Sequence, residues 1–131
     1  MVKEGILIIG HGSKLNYNKD ILKSQAERLR KMGFENVYVG FNEISYPFIE
    51  DSLLEMSRAG IDVVYALPLF IASGVHLTKD VPEKLGIPEN SHEGETVVDG
   101  RKMKIKYGTP IGGDPHIAEI LAEKVRDLKG Q

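Results

Sequence analysis

The stretch Ile6-Leu7-Ile8-Ile9-Gly10-His11-Gly12-Ser13-Lys14 decides the fold. Its four leading apolar residues are continuous and do not alternate with polar ones. Such a run fits a strand covered on both faces, and doubly covered strands belong to parallel sheets flanked by helices. The predicted strand spans residues 3–10 and glycine ends it. Residues 18–32 then predict a helix, because Ile21, Leu22, Ala26, Leu29 and Met32 recur at helical spacing. Asn16 or Asn18 can cap that helix and Gly33 ends it.

Val37-Tyr38-Val39-Gly40-Phe41 reads as a second strand, and residues 46–58 as a second helix with Pro47 in its first turn. Residues 62–71 predict a third strand, with Pro68 near its end, where a missing N–H is tolerated. A short helix follows around 77–86. Thr96-Val97-Val98, Asp99-Gly100 and Met103 to Tyr107 predict a hairpin, since Asp-Gly suits a type I′ turn. The competing reading there is a surface loop before one strand. Asp114 and Pro115 suit the N-cap and first position of a last helix, whose Ile117, Ile120, Leu121, Val125 and Leu128 form an apolar face read as core. This alternation argues for one α/β domain over residues 1–131. The expected architecture is a three-layer sandwich around a mainly parallel four- to five-stranded sheet in flavodoxin-like order.

Composition narrows the function classes. Net charge is −2, so no basic excess points to a nucleic-acid partner. Cysteine is absent, which removes disulfides, thiolate metal sites and thiol nucleophiles. No run approaches the roughly 20 apolar residues of a membrane span, and the apolar segment at 6–9 is too short for a signal peptide. A cytoplasmic location is expected.

In an open parallel sheet, ligands bind outside the carboxyl ends of the strands, where strand order reverses. His11 follows the first strand. His76 follows the third, in Ser73-Gly74-Val75-His76. If those strands are neighbours, both imidazoles point into one cleft. Neutral imidazole commonly ligates cobalt, nickel, iron and zinc. Glu43, just past the second strand, adds a carboxylate that can ligate or take protons. Taken singly, each has a plainer reading: an incidental turn histidine, a helix-start histidine, a carboxylate favoured by a helix dipole.

Gly10 and Gly12 let a ligand approach the backbone, and turn N–H groups with Ser13 and Lys14 can cradle an anion. Ala72, Ser73 and Gly74 are small enough for a flat, bulky ligand to lie against, and Asp80 can orient His76 if the segment is helical. His116 can border the same cleft, whereas His92 reads as solvated. A phosphohistidine at His11 is disfavoured, because that chemistry wants an arginine beside the histidine and position 10 is glycine.

Gly10-His11-Gly12-Ser13, Glu43, Pro68…Gly74-Val75-His76-Leu77…Asp80-Val81-Pro82 and Gly112…Asp114-Pro115 together resemble the small CbiX-type sirohydrochlorin chelatases, over essentially the whole chain. The resemblance implies a chelatase-like fold. It also implies ATP-independent insertion of Co²⁺, or Ni²⁺, into sirohydrochlorin on the way to cobalamin or a nickel tetrapyrrole. His11 and His76 match the family's metal-handling histidines and Glu43 its acidic site residue. The metal would be a substrate, with no tightly bound cofactor, and the short members work as homodimers. This chain lacks the histidine-rich tail of some members, so metal storage is not expected. Gly12, Ser13, Lys14, Ser73, Gly74 and Thr78 are candidates to bind sirohydrochlorin and its carboxylates. The competing readings are a non-catalytic tetrapyrrole or metal carrier and a sirohydrochlorin ferrochelatase serving siroheme.

Overall fold

A computed structural model describes residues 1–130. In chain order the elements are β1 (Glu4–Gly10), α1 (Tyr17–Lys31), β2 (Val37–Phe41), α2 (Ile49–Arg58) and β3 (Val63–Pro68). A π-helical turn (His76–Asp80), α3 (Val81–Leu85), β4 (Glu93–Val98), β5 (Arg101–Tyr107) and α4 (Pro115–Lys129) follow. The sheet runs β2-β1-β3-β5-β4. Only the β4–β5 pair is antiparallel. The expected α/β architecture is therefore present: four parallel strands in doubly wound order, with a hairpin adding an antiparallel edge. Strand order reverses between β1 and β3, so a topological switch point lies at their carboxyl ends.

β1 shows why its apolar run is continuous. Leu7 and Ile9 are buried under α2 and α3 with Leu53, Met56, Val64, Leu85 and Met103. Ile8 is buried on the opposite face with Leu22 and Ala26 of α1. Each such side chain contributes roughly 1.5–3 kcal/mol on burial.

Several boundaries differ from expectation. α2 begins at Ile49 rather than 46, because Asp51 accepts the Phe48 backbone N–H at 3.1 Å and Pro47 stays outside the helix. β3 ends at Pro68, which cannot donate to a ladder. The helix expected at 77–86 opens as a π-turn in which the Val81 N–H reaches His76 O. Pro82 has no N–H to give to Thr78 O, and Asn90 donates to that carbonyl at 2.8 Å. The hairpin is real, with Asp99 and Gly100 at φ 53° and 76° as a type I′ turn requires.

One expectation fails. The apolar face of α4 is not core: none of its residues is buried, and Ile120, Leu121, Val125 and Leu128 are all exposed. The cap itself is as expected, since the Asp114 carboxylate accepts the His116 N–H at 2.8 Å. What directs the helix outward is its leading loop. There Ile111 N–H bonds Phe70 O at 2.9 Å, and Gly112 packs so tightly that a Cβ would sit 1.9 Å from the Ile71 carbonyl oxygen.

Candidate metal centre

The switch point is built by extending the ladders past the strand ends. Beyond β1 and β2, Asn42 N–H donates to Gly10 O at 2.9 Å and Glu43 N–H to His11 O at 3.1 Å. This pairing sets Glu43 beside His11, with Oε1 3.3 Å from the imidazole Nε2. Gly12 makes the crossing possible. It has φ 101°, and a Cβ there would lie 1.7 Å from the Glu43 carbonyl oxygen. Ser45 locks the pair of turns: its hydroxyl donates to Ser13 O and accepts the Ser13 N–H, both at 3.0 Å.

His76 arrives from the other side of the switch point. Gly74 O accepts the N–H groups of Leu77 and Thr78 and starts the π-turn. Tyr107 of β5 fixes that turn, donating its hydroxyl to Leu77 O at 2.9 Å. Burial pushes the Tyr107 phenol up to about 12, so it stays a donor at any physiological pH. Asp80, four residues after His76, places Oδ2 at 2.8 Å from Nδ1. That acceptor holds a proton on Nδ1 and leaves the Nε2 lone pair free for a ligand.

Sequence reasoning missed two residues in this arrangement. Asn42, 3% exposed, brings its amide within 3.3 Å of the same His76 Nδ1. Lys84 of α3 donates to both the backbone carbonyl and Oδ1 of Asn42, the latter at 2.9 Å. A lone asparagine and a helical lysine carry no spacing signal. Only the fold brings them to His76.

His11, Glu43 and His76 each offer one ligand atom within 4.8 Å of the other two. The two imidazole centroids are 4.8 Å apart with planes at 66°, and Phe70 meets the His11 ring edge-on at 6.0 Å. All three side chains are 44–47% exposed, which leaves coordination positions open to an incoming ligand. Two imidazoles and a carboxylate suit a divalent first-row ion.

The other predicted positions are placed around this centre in unequal states. Gly12 N–H is taken by Asn18 Oδ1 at 3.2 Å, Ser13 N–H by Ser45, and Leu15 N–H by the Ser13 hydroxyl at 3.3 Å. The turn is therefore not a free anion cradle, and the exposed Lys14 ammonium carries the charge there. Ser73 and Gly74 are exposed in the β3 exit, and the Thr78 hydroxyl donates to Gly74 O at 3.1 Å. His116 stays outside the trio, paired with Asp114 Oδ1 at 2.6 Å, and that carboxylate raises its pKa. His92 is not simply solvated: it stacks on Tyr107 at 5.6 Å and bonds its carbonyl through Nδ1 at 2.9 Å.

A family model described as CbiX matches residues 5–128. The chain is 35% identical to a sirohydrochlorin cobaltochelatase of Methanococcoides burtonii over 127 residues, covering 96% of this chain and 97% of that one. It is 40% identical to a protein of the same description from Methanosarcina barkeri, with 95% and 96% covered. Among solved structures, a putative CbiX protein of Marinobacter aquaeolei aligns with TM-score 0.72 at 24% identity, covering 98% of this chain and 99% of that one. The sirohydrochlorin chelatase SirB of Bacillus subtilis in complex with cobalt aligns with TM-score 0.76 at 22% identity, covering 96% of this chain and 51% of SirB. At those identities the structures speak for the fold.

Proposed function

The chain belongs to the CbiX family, and from that premise we propose that it inserts a divalent metal ion into sirohydrochlorin. The observation that carries this reading is the convergence of His11, Glu43 and His76 at the switch point. The ion is a substrate: Co²⁺ is the reading favoured by the curated relatives, and Ni²⁺ binds the same donor set.

Insertion exchanges one M²⁺ for two pyrrole protons. His11 and His76 hold the ion through nitrogen and leave positions for pyrrole nitrogens to replace them one by one. The two pyrrole protons pass in turn to the imidazoles of His11 and His76, as each gives up the ion, with Glu43, in contact with His11, helping to relay them to water. Asp80 accepts from Nδ1 and fixes the His76 ring, with Asn42 set beside it, so that its Nε2 stays aimed at the ion. Lys14, Ser73 and the small residues at 72–74 meet the carboxylates and flat face of the macrocycle, while Gly12, Ser13, Gly74 and Thr78 shape the turns beneath it. The proposed insertion uses no ATP. We read residues 1–131 as one chelatase domain that works as a homodimer in the cytoplasm. Among the described residues no helix is long and apolar enough to cross a membrane.

The test is anaerobic multiple-turnover insertion with Co²⁺, Ni²⁺ and Fe²⁺, followed by the visible spectrum of the macrocycle. Turnover with Co²⁺ that falls in His11→Ala and His76→Ala supports the proposal. Stoichiometric binding without turnover makes the chain a carrier, and a strong preference for Fe²⁺ makes it a ferrochelatase.

A further inference from the structure

Lys84 stands on α3, partly buried, with its ammonium against residue 42. None of the ion pairs among the described residues includes it. Both of its hydrogen bonds go to one residue: it donates to the backbone carbonyl of Asn42 and, at 2.9 Å, to Oδ1. Pinning a lysine side chain costs rotamer entropy, and a leucine would cover the neighbouring core at less cost. A cation held in this way, with no carboxylate to repay it, is better explained by what it does to residue 42 than by packing.

We propose that Lys84 is a positioning residue of the metal centre, which sets the orientation of His76 and the place of Glu43 through Asn42. The inference rests on the reading of His11, Glu43 and His76 as the metal-handling trio and deepens it. One path runs through the Asn42 side chain. An ammonium only donates, so it draws Oδ1 toward itself and leaves the amide nitrogen toward His76, where Nδ2 lies 3.3 Å from Nδ1. Turned over, the amide would set its oxygen at that place. The oxygen would compete with Asp80 for the proton on Nδ1, and the ring would have two seats instead of one. With the amide nitrogen there, Asp80 is the acceptor that remains, and Nε2 keeps a single direction.

The other path runs through the backbone. The Asn42 carbonyl belongs to the peptide that leads into Glu43. Asn42 N–H is given to Gly10 O at 2.9 Å, so with Lys84 on the carbonyl the residue is gripped on both sides of its α-carbon. Glu43 follows directly, and its carboxylate is kept 3.3 Å from His11 Nε2. Lys84 and His76 also ride on one element. The π-turn and α3 are continuous, and His76, Asp80 and Lys84 follow at four-residue steps on the face that meets residue 42. A displacement of that element carries the imidazole and the ammonium together. The spacing of His76 from Glu43, which come from strand exits on opposite sides of β1, is therefore held by one side chain as well as by the sheet.

The test uses the full chain with Co²⁺ alone, read by its visible d–d absorption, beside the insertion assay. Lys84→Met is expected to weaken Co²⁺ binding roughly tenfold and to change the shape of the d–d bands, with KM for the macrocycle within about twofold of the parent. A purely structural role would lower Tm and leave the bands of the folded protein as they are. The absence of cysteine allows a second comparison. Lys84→Cys, alkylated in denaturant with 2-bromoethylamine and refolded, regains an ammonium at the reach of lysine. Alkylated with 1-iodopropane, it gains the same length without charge. The aminoethyl form is expected to restore the parental affinity and bands, and the propyl form to match Lys84→Met. Parental affinity and bands in a folded Lys84→Met, or equal behaviour of the two alkylated forms, overturn the role of Lys84 and leave the metal centre standing. Failure of both Lys84→Met and the propyl form to fold makes Lys84 a structural residue and overturns the proposal in the same way. A parent whose Co²⁺ spectrum equals that of His76→Ala overturns the metal centre and this inference with it.

Discussion

At the scale of single residues, the proposed centre leaves its three side chains half exposed while contacts from behind fix their orientation. His76 is the clearest case. Its Nδ1 is held by the Asp80 carboxylate at 2.8 Å, with the Asn42 amide nitrogen lying 3.3 Å away, and its Nε2 is left free. Removing the imidazole in His76→Ala is expected to lower the Co²⁺ insertion rate at least about 100-fold, within the usual range for a ligand or proton acceptor. Asp80→Asn keeps the ring but not its proton partner. Its expected effect is a roughly 10- to 100-fold loss, mainly in the metal's apparent affinity, with an unchanged far-UV spectrum. His116 offers a pH reading. Its pKa is raised by Asp114, so its contribution to the start of α4 is complete below about 6.5 and is lost as pH rises through the raised value. The His116 ring proton should titrate above 6.5 by NMR in the parent and shift back toward 6.5 in Asp114→Asn.

At the scale of elements, the order and direction of the strands were legible because each carries a local signature: the unbroken run of β1, Asp99-Gly100 between β4 and β5, Asp114-Pro115 before α4. His11, Glu43 and His76 could be picked out for the same reason, as each sits at a strand exit. What stayed hidden is set by contacts between distant segments. The π-turn under His76 depends on Pro82 giving up Thr78 O to Asn90, and the Asn42–Lys84 support joins residues 42 positions apart. The burial expected for α4 was misread because an amphipathic stripe reports that a face is to be covered, without saying by which chain. Tyr107 tests the linkage between elements. Tyr107→Phe leaves Leu77 O without its donor in a buried place and should cost about 1–3 kcal/mol in denaturant unfolding. Insertion should slow as well, since the same bond fixes the turn that carries His76.

Across the whole molecule, the two edges of the sheet are given different work. The carboxyl edge gathers half-exposed ionisable groups around an open centre. The amino edge is tied shut by Arg101, which donates to Ser57 O and Ile61 O at 3.0 Å and to Asp62 Oδ1 at 2.8 Å. Asp62 in turn accepts the Lys3 N–H at 2.8 Å, so the starts of β1, β3 and β5 meet in one knot. The Lys3 N–H first, and then the Arg101 guanidinium, hold the Asp62 carboxyl below its ordinary 3.8. A depressed carboxyl contributes stability above its unfolded pKa, and that contribution is lost as pH falls through the folded value. Acid should therefore loosen the knot only below about pH 4. Arg101→Gln separates the two edges. It removes an ion pair and two charge-assisted bonds to backbone carbonyls far from the centre, and it should cost about 1–3 kcal/mol, or roughly 3–10 °C in Tm. The rate of metal insertion at 25 °C should stay within about twofold of the parent. A large loss of activity in a variant that is still folded at that temperature would show that the amino edge also sets the geometry of the centre, and that the division between the edges is wrong.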